Sequence, residues 1–494
     1  MLTRRQLLGR VGAATAAWLA APSARALGAA ARAETDAVQP ARFLSRPDLV
    51  PPLVNVTTPA RRAADGYVLL APFDITGKAP PDKQFGPLIV DDAGEPVWFR
   101  PTTGATAIGL RVQRYQGRPV LTWYEGEVLG PYGGDFVVAD DSYREILRIR
   151  ARRGYKADLH EVLLTTRGTA LITIYSEIAA DLTAVGGSAQ SRLVEGVVQE
   201  LALRSGRVLF EWRSSTHVAP EESFTTQVTP AGNVDYFHLN SISVDLDGNL
   251  LVSARDTSTV YKIDRSSGKV LWRLGGKRSD FAVAPEASFS FQHDVRRHPD
   301  GTLTLFDNAA STPPTGPPTG ASSRPIRIAL DMQAMTASLV EVLQAPDPRL
   351  AFAMGNMQQL PDGGFFVGWG TAGPFTEYDP AGRVRFDARF ADDSVSYRAF
   401  RFPWVGRPDG KPAVALTPAA GGKTTVHASW NGATEVARWA VLVGSTAQTL
   451  RPVARARRTG FETAIPIRRR PGLVAVTALD ASGKVLGTSA SIRM

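Results

Sequence analysis

The feature that most constrains this chain is a hairpin that recurs. Apolar alternation runs into a tight turn, and a second alternating run leaves it, at turn glycines Gly117, Gly168, Gly248, Gly301 and Gly363. Asp247-Gly248 and Asp300-Gly301 are the plainest of these turns. Alternation on both sides of a short glycine turn means two antiparallel strands. A second kind of turn opens with Asp and closes with Gly, at Asp91–Gly94, Asp264–Gly268 and Asp379–Gly382. Each leads into a strand with an aromatic residue, among them Trp98, Trp272 and Phe386, and Ser205–Phe210 closes a further unit in the same way.

Put in order, these turns divide the chain into six four-stranded units near 50–100, 106–150, 158–213, 237–275, 291–344 and 353–392. No such unit buries both faces alone, so repetition at this period predicts an all-β, six-bladed β-propeller. Tyr397–Trp404 is the candidate for the strand that closes the ring. Short turns gather at one mouth. The longer connections, Gly126–Gly134, Glu177–Glu195, Arg213–Tyr236, Ser279–Ser290 and Ala309–Ser323, gather at the other, which marks the functional end. The last of them contains Thr312–Pro318, a stretch too proline-rich to join a sheet. From 406 to 494 the pattern changes to shorter strand signals, which predict a small immunoglobulin- or fibronectin-like β-sandwich.

The N-terminus carries a different message. Thr3-Arg4-Arg5-Gln6-Leu7-Leu8, the weakly apolar Val11–Ala21 and Ala24-Arg25-Ala26 predict a twin-arginine signal peptide over 1–26, with a linker over 27–45 and the propeller over 46–405. The expected partner is the twin-arginine export machinery, and the expected location is periplasmic or extracellular. After the N-terminus no segment is long and apolar enough to span a membrane. With no cysteine in the chain, disulfides, thiolate nucleophiles and cysteine-ligated metals are excluded. The net charge of +9 reads as arginine spread along the chain, densest over Arg451–Arg470, and no aromatic interleaving accompanies it, which argues against nucleic acid.

The hairpin register then places the chemistry. Eight residues before the turn glycines stand His160, Asn240 and His293, and seven residues after them stand Tyr124, Tyr175, Arg255 and Asn308. In a hairpin these two positions lie at the same end, and His238 shares a strand side with Asn240. Imidazoles, an amide, a guanidinium and phenols at one rim admit three readings. They could hold a metal, with Asp158, Glu161 or Asp294 as further ligands. They could transfer an anionic group through a histidine nucleophile, with a second histidine moving protons. Or they could line an inert, water-filled channel. Of the remaining histidines, His217 is placed in a rim loop, His298 in an exposed turn at the far mouth, and His427 in the C-terminal sandwich.

Asp158-Leu159-His160-Glu161, Tyr236–Ser241, Leu251–Arg255, Ser258–Asp264, Leu271–Gly276 and Phe291-Gln292-His293-Asp294 resemble the arylsulfotransferase family. Members of that family are six-bladed propellers that move a sulfuryl group between phenols without a nucleotide donor. The resemblance implies His293 as the nucleophile that forms a transient sulfohistidine, and His238 as its acid/base partner. Asn240, Arg255 and His160 would hold the sulfuryl oxygens. Tyr124, Tyr175 and Asn308 complete the expected substrate contacts. The substrates implied are an aryl sulfate and a phenolic acceptor, with neither metal nor other cofactor. A metal-dependent propeller hydrolase or lyase, and a non-catalytic cell-surface binding protein, are the alternatives that use the same rim.

Overall fold

The computed structural model describes residues 42–77, 79, 83–128, 133–225, 233–310, 322–468 and 472–493. The segment read as a signal peptide, most of the linker, and Thr312–Pro318 lie outside the described residues. Among the described residues no helix is long and apolar enough to cross a membrane.

The chain is all-β and propeller-like. Four antiparallel sheets follow the chain, built from strands within 106–149, 162–213, 239–275 and 293–342. Two more sheets join the ends of this series. In one, Phe400–Phe402 pairs with Tyr67–Leu70, which continues through Leu88–Val90 to Pro96–Phe99. In the other, Val54–Thr58 adds a fifth strand to the sheet of Asn356–Phe390 by pairing with Val384–Phe390. The expected first unit is therefore split. Its leading strand belongs to the last sheet, and its innermost strand arrives from more than three hundred residues downstream. The closing strand lies inside Tyr397–Trp404.

Packing explains why the series closes. Six buried apolar clusters sit between successive sheets, one for each junction. Trp98 and Trp123 meet at the first, Tyr124 and Ile172 at the second, Trp212 and Leu250 at the third. Trp272 and Leu303 meet at the fourth, Phe306 and Phe365 at the fifth, and Phe366 with Phe99 returns to the start. Each sheet thus buries both faces against its neighbours.

The turn chemistry follows its sequence. Gly117, Gly168, Gly248, Gly301 and Gly363 all adopt φ between 72° and 88°, where a side chain is strained. In the Asp-to-Gly turns the carboxylate caps the bend. Asp91 Oδ1 accepts from the N–H groups of Ala93 and Glu95, and Asp379 Oδ1 from those of Ala381 and Arg383. One rim connection differs from expectation. The loop within Glu177–Glu195 shortens to the residues between Ala180 and Ser191, because Thr169–Ala180 and Ser191–Ala202 stay paired as far as Ala180 opposite Ser191.

Beyond the ring, two further sheets enclose one core of Val426, Trp439, Val441, Ile465, Val474 and Val476. One contains Ala413–Ala419, Lys423–Ser429 and Glu462–Ile467; the other is centred on Arg438–Gly444. Tyr143 joins this unit to the ring. Its ring stacks on Trp98 at 4.6 Å, its hydroxyl donates to Gly432 O at 2.7 Å, and the Tyr143 hydroxyl oxygen accepts from Trp404 Nε1 at 3.1 Å.

Candidate active site

Four sheets each bring residues to one region of the axis. His160 precedes Val162–Leu164, His238 precedes Leu239–Val244, and His293 begins His293–Arg297. Two register slips re-aim the side chains here. One skips Asn240, between the Leu239–Ala254 and Ser241–Ser253 pairs, and the other follows His293. Backbone strain gathers at the same place. Of the eleven non-glycine residues at positive φ among the described residues, His238, Ser258, Phe291, Asp294, Ala309 and Met354 lie at or beside these histidines, a concentration typical of functional sites.

The rings meet. His160 and His238 stand edge to face at 5.2 Å, and Tyr175 stacks on His160 at 5.3 Å and meets His238 at 5.6 Å. Tyr397, which the hairpin count did not single out, bridges the group, with its ring 5.4 Å from His160 and 6.1 Å from His293. Its hydroxyl donates to Asn240 O.

Each imidazole is anchored through Nδ1. Asp158 Oδ2 lies 2.6 Å from His160 Nδ1, Asp235 Oδ2 lies 2.6 Å from His238 Nδ1, and Asn308 Oδ1 lies 2.7 Å from His293 Nδ1. Asn308 is fixed in turn, since its amide donates to the carbonyls of Ala351 and Met354. Its oxygen must therefore accept from His293 Nδ1–H, which leaves the lone pair of that ring on Nε2. The Met354 N–H donates to this Nε2 at 3.2 Å.

Burial sets the charge states. His293 is held well below its usual pKa, chiefly by burial, so it is neutral near pH 7. Burial also takes His238 down to about 3, against the pull of Asp256, and pushes Asp235 up to about 7 against Arg255. Asp256 rises to about 6 for the same reason. The guanidinium of Arg255 donates to Asp256 at 2.8 Å and lies over the Phe291 ring, while its backbone N–H donates to His238 O.

Tyr124 stands apart. It is fully buried between the second and third sheets, against Phe136, with its hydroxyl donated to Glu127 O, so it packs the wall. Asn308 lies behind His293, wholly buried and with both amide ends engaged. Tyr175 donates to Leu239 O, and Asn240 Nδ2 donates to Gln292 O at 2.7 Å, which leaves one amide hydrogen. His217 caps its loop by bonding to Arg213 O and stacking on Trp212. His298 is 8% exposed and bonded to Thr304, not an exposed turn residue, because the strand beyond its turn folds over it. His427 bonds to Thr417 within the C-terminal unit.

Beneath the histidines lies a layer of full charges. Glu161 receives Arg111 at 2.7 Å, Arg296 at 2.5 Å and Arg398 at 3.0 Å, and Asp294 pairs with Arg296 at 2.6 Å. Burial alone would raise Glu161, but three guanidiniums outweigh it and hold the carboxyl down to about 2. Glu161 and Asp294 are thereby withdrawn from metal ligation. Asp158 approaches His160 alone, and among the described residues the one group of three with metal-ligand spacing is Asp235, His238 and Asp256, with ligand atoms within 4.8 Å of one another. Asp256 Oδ2 is buried without a hydrogen-bond partner.

The arylsulfotransferase (ASST) family profile matches residues 111–391, more than half of the chain. The chain belongs to the arylsulfotransferase family. The matched segment contains every residue of the histidine group except Tyr397. Among solved structures, the chain is similar to a protein of unknown function from Bacteroides caccae. Identity is 14%, coverage is 68% of this chain and 98% of that one, and the TM-score is 0.42. A second, of unknown function from Dyadobacter fermentans, is 12% identical over 69% of this chain and 94% of that one, with a TM-score of 0.39. No curated protein matches the chain.

Proposed function

We propose that this arylsulfotransferase-family protein moves a sulfuryl group from an aryl sulfate to a phenolic acceptor through a sulfated His293. One observation carries the reading: a neutral, fully buried imidazole whose Nδ1–H is held by Asn308 and whose Nε2 therefore bears the lone pair. In the first half-reaction His293 Nε2 gives up the hydrogen bond from the Met354 N–H and attacks sulfur, the N–S bond forms and the aryl O–S bond breaks, with its electron pair going to the phenolate. His238 Nε2–H protonates that oxygen while the Asp235 carboxyl passes its proton to His238 Nδ1. In the second half the acceptor phenol returns a proton to His238 Nε2, Nδ1–H goes back to Asp235, and the acceptor oxygen displaces His293 from sulfur. Both groups finish as they began. Arg255, the remaining amide hydrogen of Asn240 and His160 face the charge on the sulfuryl oxygens, where fixed donors act on the transition state.

Mass spectrometry of the intact protein mixed with 4-nitrophenyl sulfate, without acceptor, tests this. A gain of one sulfuryl group, discharged by added phenol and absent from His293→Ala, is expected; turnover by that variant would sink the reading. A second reading, a metal-assisted hydrolase or lyase, is favoured by the unpartnered oxygen of Asp256 beside Asp235 and His238. Loss of activity on chelation, with recovery on adding a divalent ion, would select it. In either case we read residues 1–26 as a twin-arginine signal that delivers the protein to the periplasm or beyond, and 406–494 as an immunoglobulin- or fibronectin-type sandwich.

A further inference from the structure

The positive charge of this chain is not spread along it. Residues 406–494 hold thirteen Lys and Arg against four Asp and Glu, a net +9 that equals the formal charge of the whole chain, and residues 1–405 balance at 43 of each. The four acids of this region are already engaged. Glu435 pairs with Arg407 at 2.6 Å, and Glu462 accepts from Ser45 N at 2.6 Å. Asp480 accepts from the N–H groups of its own turn, and Asp409 lies 3.7 Å from Arg144.

One sheet edge and the strand beside it collect four of the cations. Arg451–Arg457 pairs with Arg438–Gly444 alone, so its other side is open. Ala454 and Ala456 pack on the core, which turns the alternate residues Arg455 and Arg457 outward. Arg457 stands directly opposite Arg438, also exposed. Among the described residues, Arg438, Arg451, Arg455 and Arg457 form no ion pair. Like charges directly opposed across a pair of strands are unfavourable, and no acid on either strand relieves these.

We propose that this face binds a linear acidic polysaccharide. Alternate residues on a strand repeat at about 6.5–7 Å and neighbouring strands lie about 4.8 Å apart, so the guanidiniums form a row rather than a cup. A row suits a polymer with regularly repeated anions. A membrane surface would call for large apolar groups among the cations, and among the described residues of 406–494 only Val453 and Val485 are exposed large apolar residues. A single-stranded nucleic acid would call for exposed aromatic rings to stack on, yet Trp439 is buried in the core. The proposal is independent of the transfer chemistry at His293.

Fluorescence anisotropy of labelled heparin with the full chain, across a series of NaCl concentrations, tests it. Arg438→Gln/Arg455→Gln/Arg457→Gln is expected to weaken binding about tenfold or more at 0.1 M NaCl, with a shallower salt slope by about two to three counterions. Replacement of the same three by Lys should restore most of the binding, which separates charge from folding. Removal of equal charge from exposed propeller positions, Arg118→Gln/Arg167→Gln/Arg204→Gln, should leave it within about twofold. Unchanged binding by the first variant, or equal loss in both, overturns the proposal. So does binding of phosphatidylglycerol vesicles or duplex DNA by the wild type as tightly as heparin. Aryl sulfate turnover, measured alongside, should be the same in all of these proteins.

Discussion

The axis of the ring carries two polar layers, equally buried and opposite in character. In the lower one, Arg111, Arg296 and Arg398 close around Glu161 and Asp294 and hold the Glu161 carboxyl ionised. In the upper one, His238 and His293 stay neutral because burial has nothing strong enough to oppose it. A buried charge that is fully paired is inert. A buried base kept neutral, with one nitrogen tied and the other holding a lone pair, is a reagent. The lower layer therefore supplies rigidity and the upper one supplies reactivity, and each can be removed without the other.

Three substitutions break that division in turn. His293→Ala should lower aryl sulfate turnover by about ten-thousand-fold, with a thermal midpoint near that of the wild type. Glu161→Gln should do the reverse. It leaves Arg111 without its acid and Arg296 and Arg398 with Asp294 alone, costs about 3–5 kcal/mol by denaturant titration, and leaves the folded fraction reactive. Acid should act in the same direction. The folded Glu161 carboxyl sits at about 2, below its unfolded value, so its contribution is complete above about pH 4.5 and is lost as pH falls toward 2. Asp235→Asn comes next, with a loss of about a hundredfold for donors whose phenolate is strongly basic and far less for 4-nitrophenyl sulfate, read from the burst of released phenol. In the wild type the same burst should decline above pH 7, where Asp235 gives up the proton it would relay.

Much of this was legible in the sequence, for physical reasons. Turn glycines must occupy positive φ, so Gly168, Gly248 and Gly301 set a register that placed His160, Tyr175, Asn240, Arg255 and His293 together. Tyr124 obeyed the same count and still went into the wall, since spacing reports the end of a strand and not which way a ring turns once Phe136 is beside it. The anchors were harder to see. Asp235, three residues before His238, is aimed by a loop whose φ at His238 is 54°, and no periodicity announces that. Arg398 and Tyr397 reach the site only because the C-terminal end of the ring returns to the first sheet. Tyr397–Trp404 was legible as a candidate closing strand, but its pairing spans more than three hundred residues, and local pattern names neither the partner strand nor the side chains it delivers to the site.

The finest distinction lies inside the upper layer, between an amide behind His293 and a carboxylate behind His238. Asn308→Asp would erase it. A carboxylate beside Nδ1 favours imidazolium, so the pKa of His293 should rise toward neutrality and the lone pair on Nε2 should be lost at low pH. Asp also cannot donate to Ala351 O and Met354 O, which costs about 1–3 kcal/mol of stability at every pH. The two effects separate in a pH profile of kcat. Lost packing lowers the whole curve, whereas a raised pKa adds an acid limb, with a rate about tenfold below the wild type at pH 6 that rejoins the wild-type curve by pH 9. The wild type, with His293 already far below neutrality, should show no such limb between pH 6 and 7. A profile lowered in parallel would mean that Asn308 only holds the Met354 segment in place, and that the choice of amide over carboxylate does not set the state of the nucleophile.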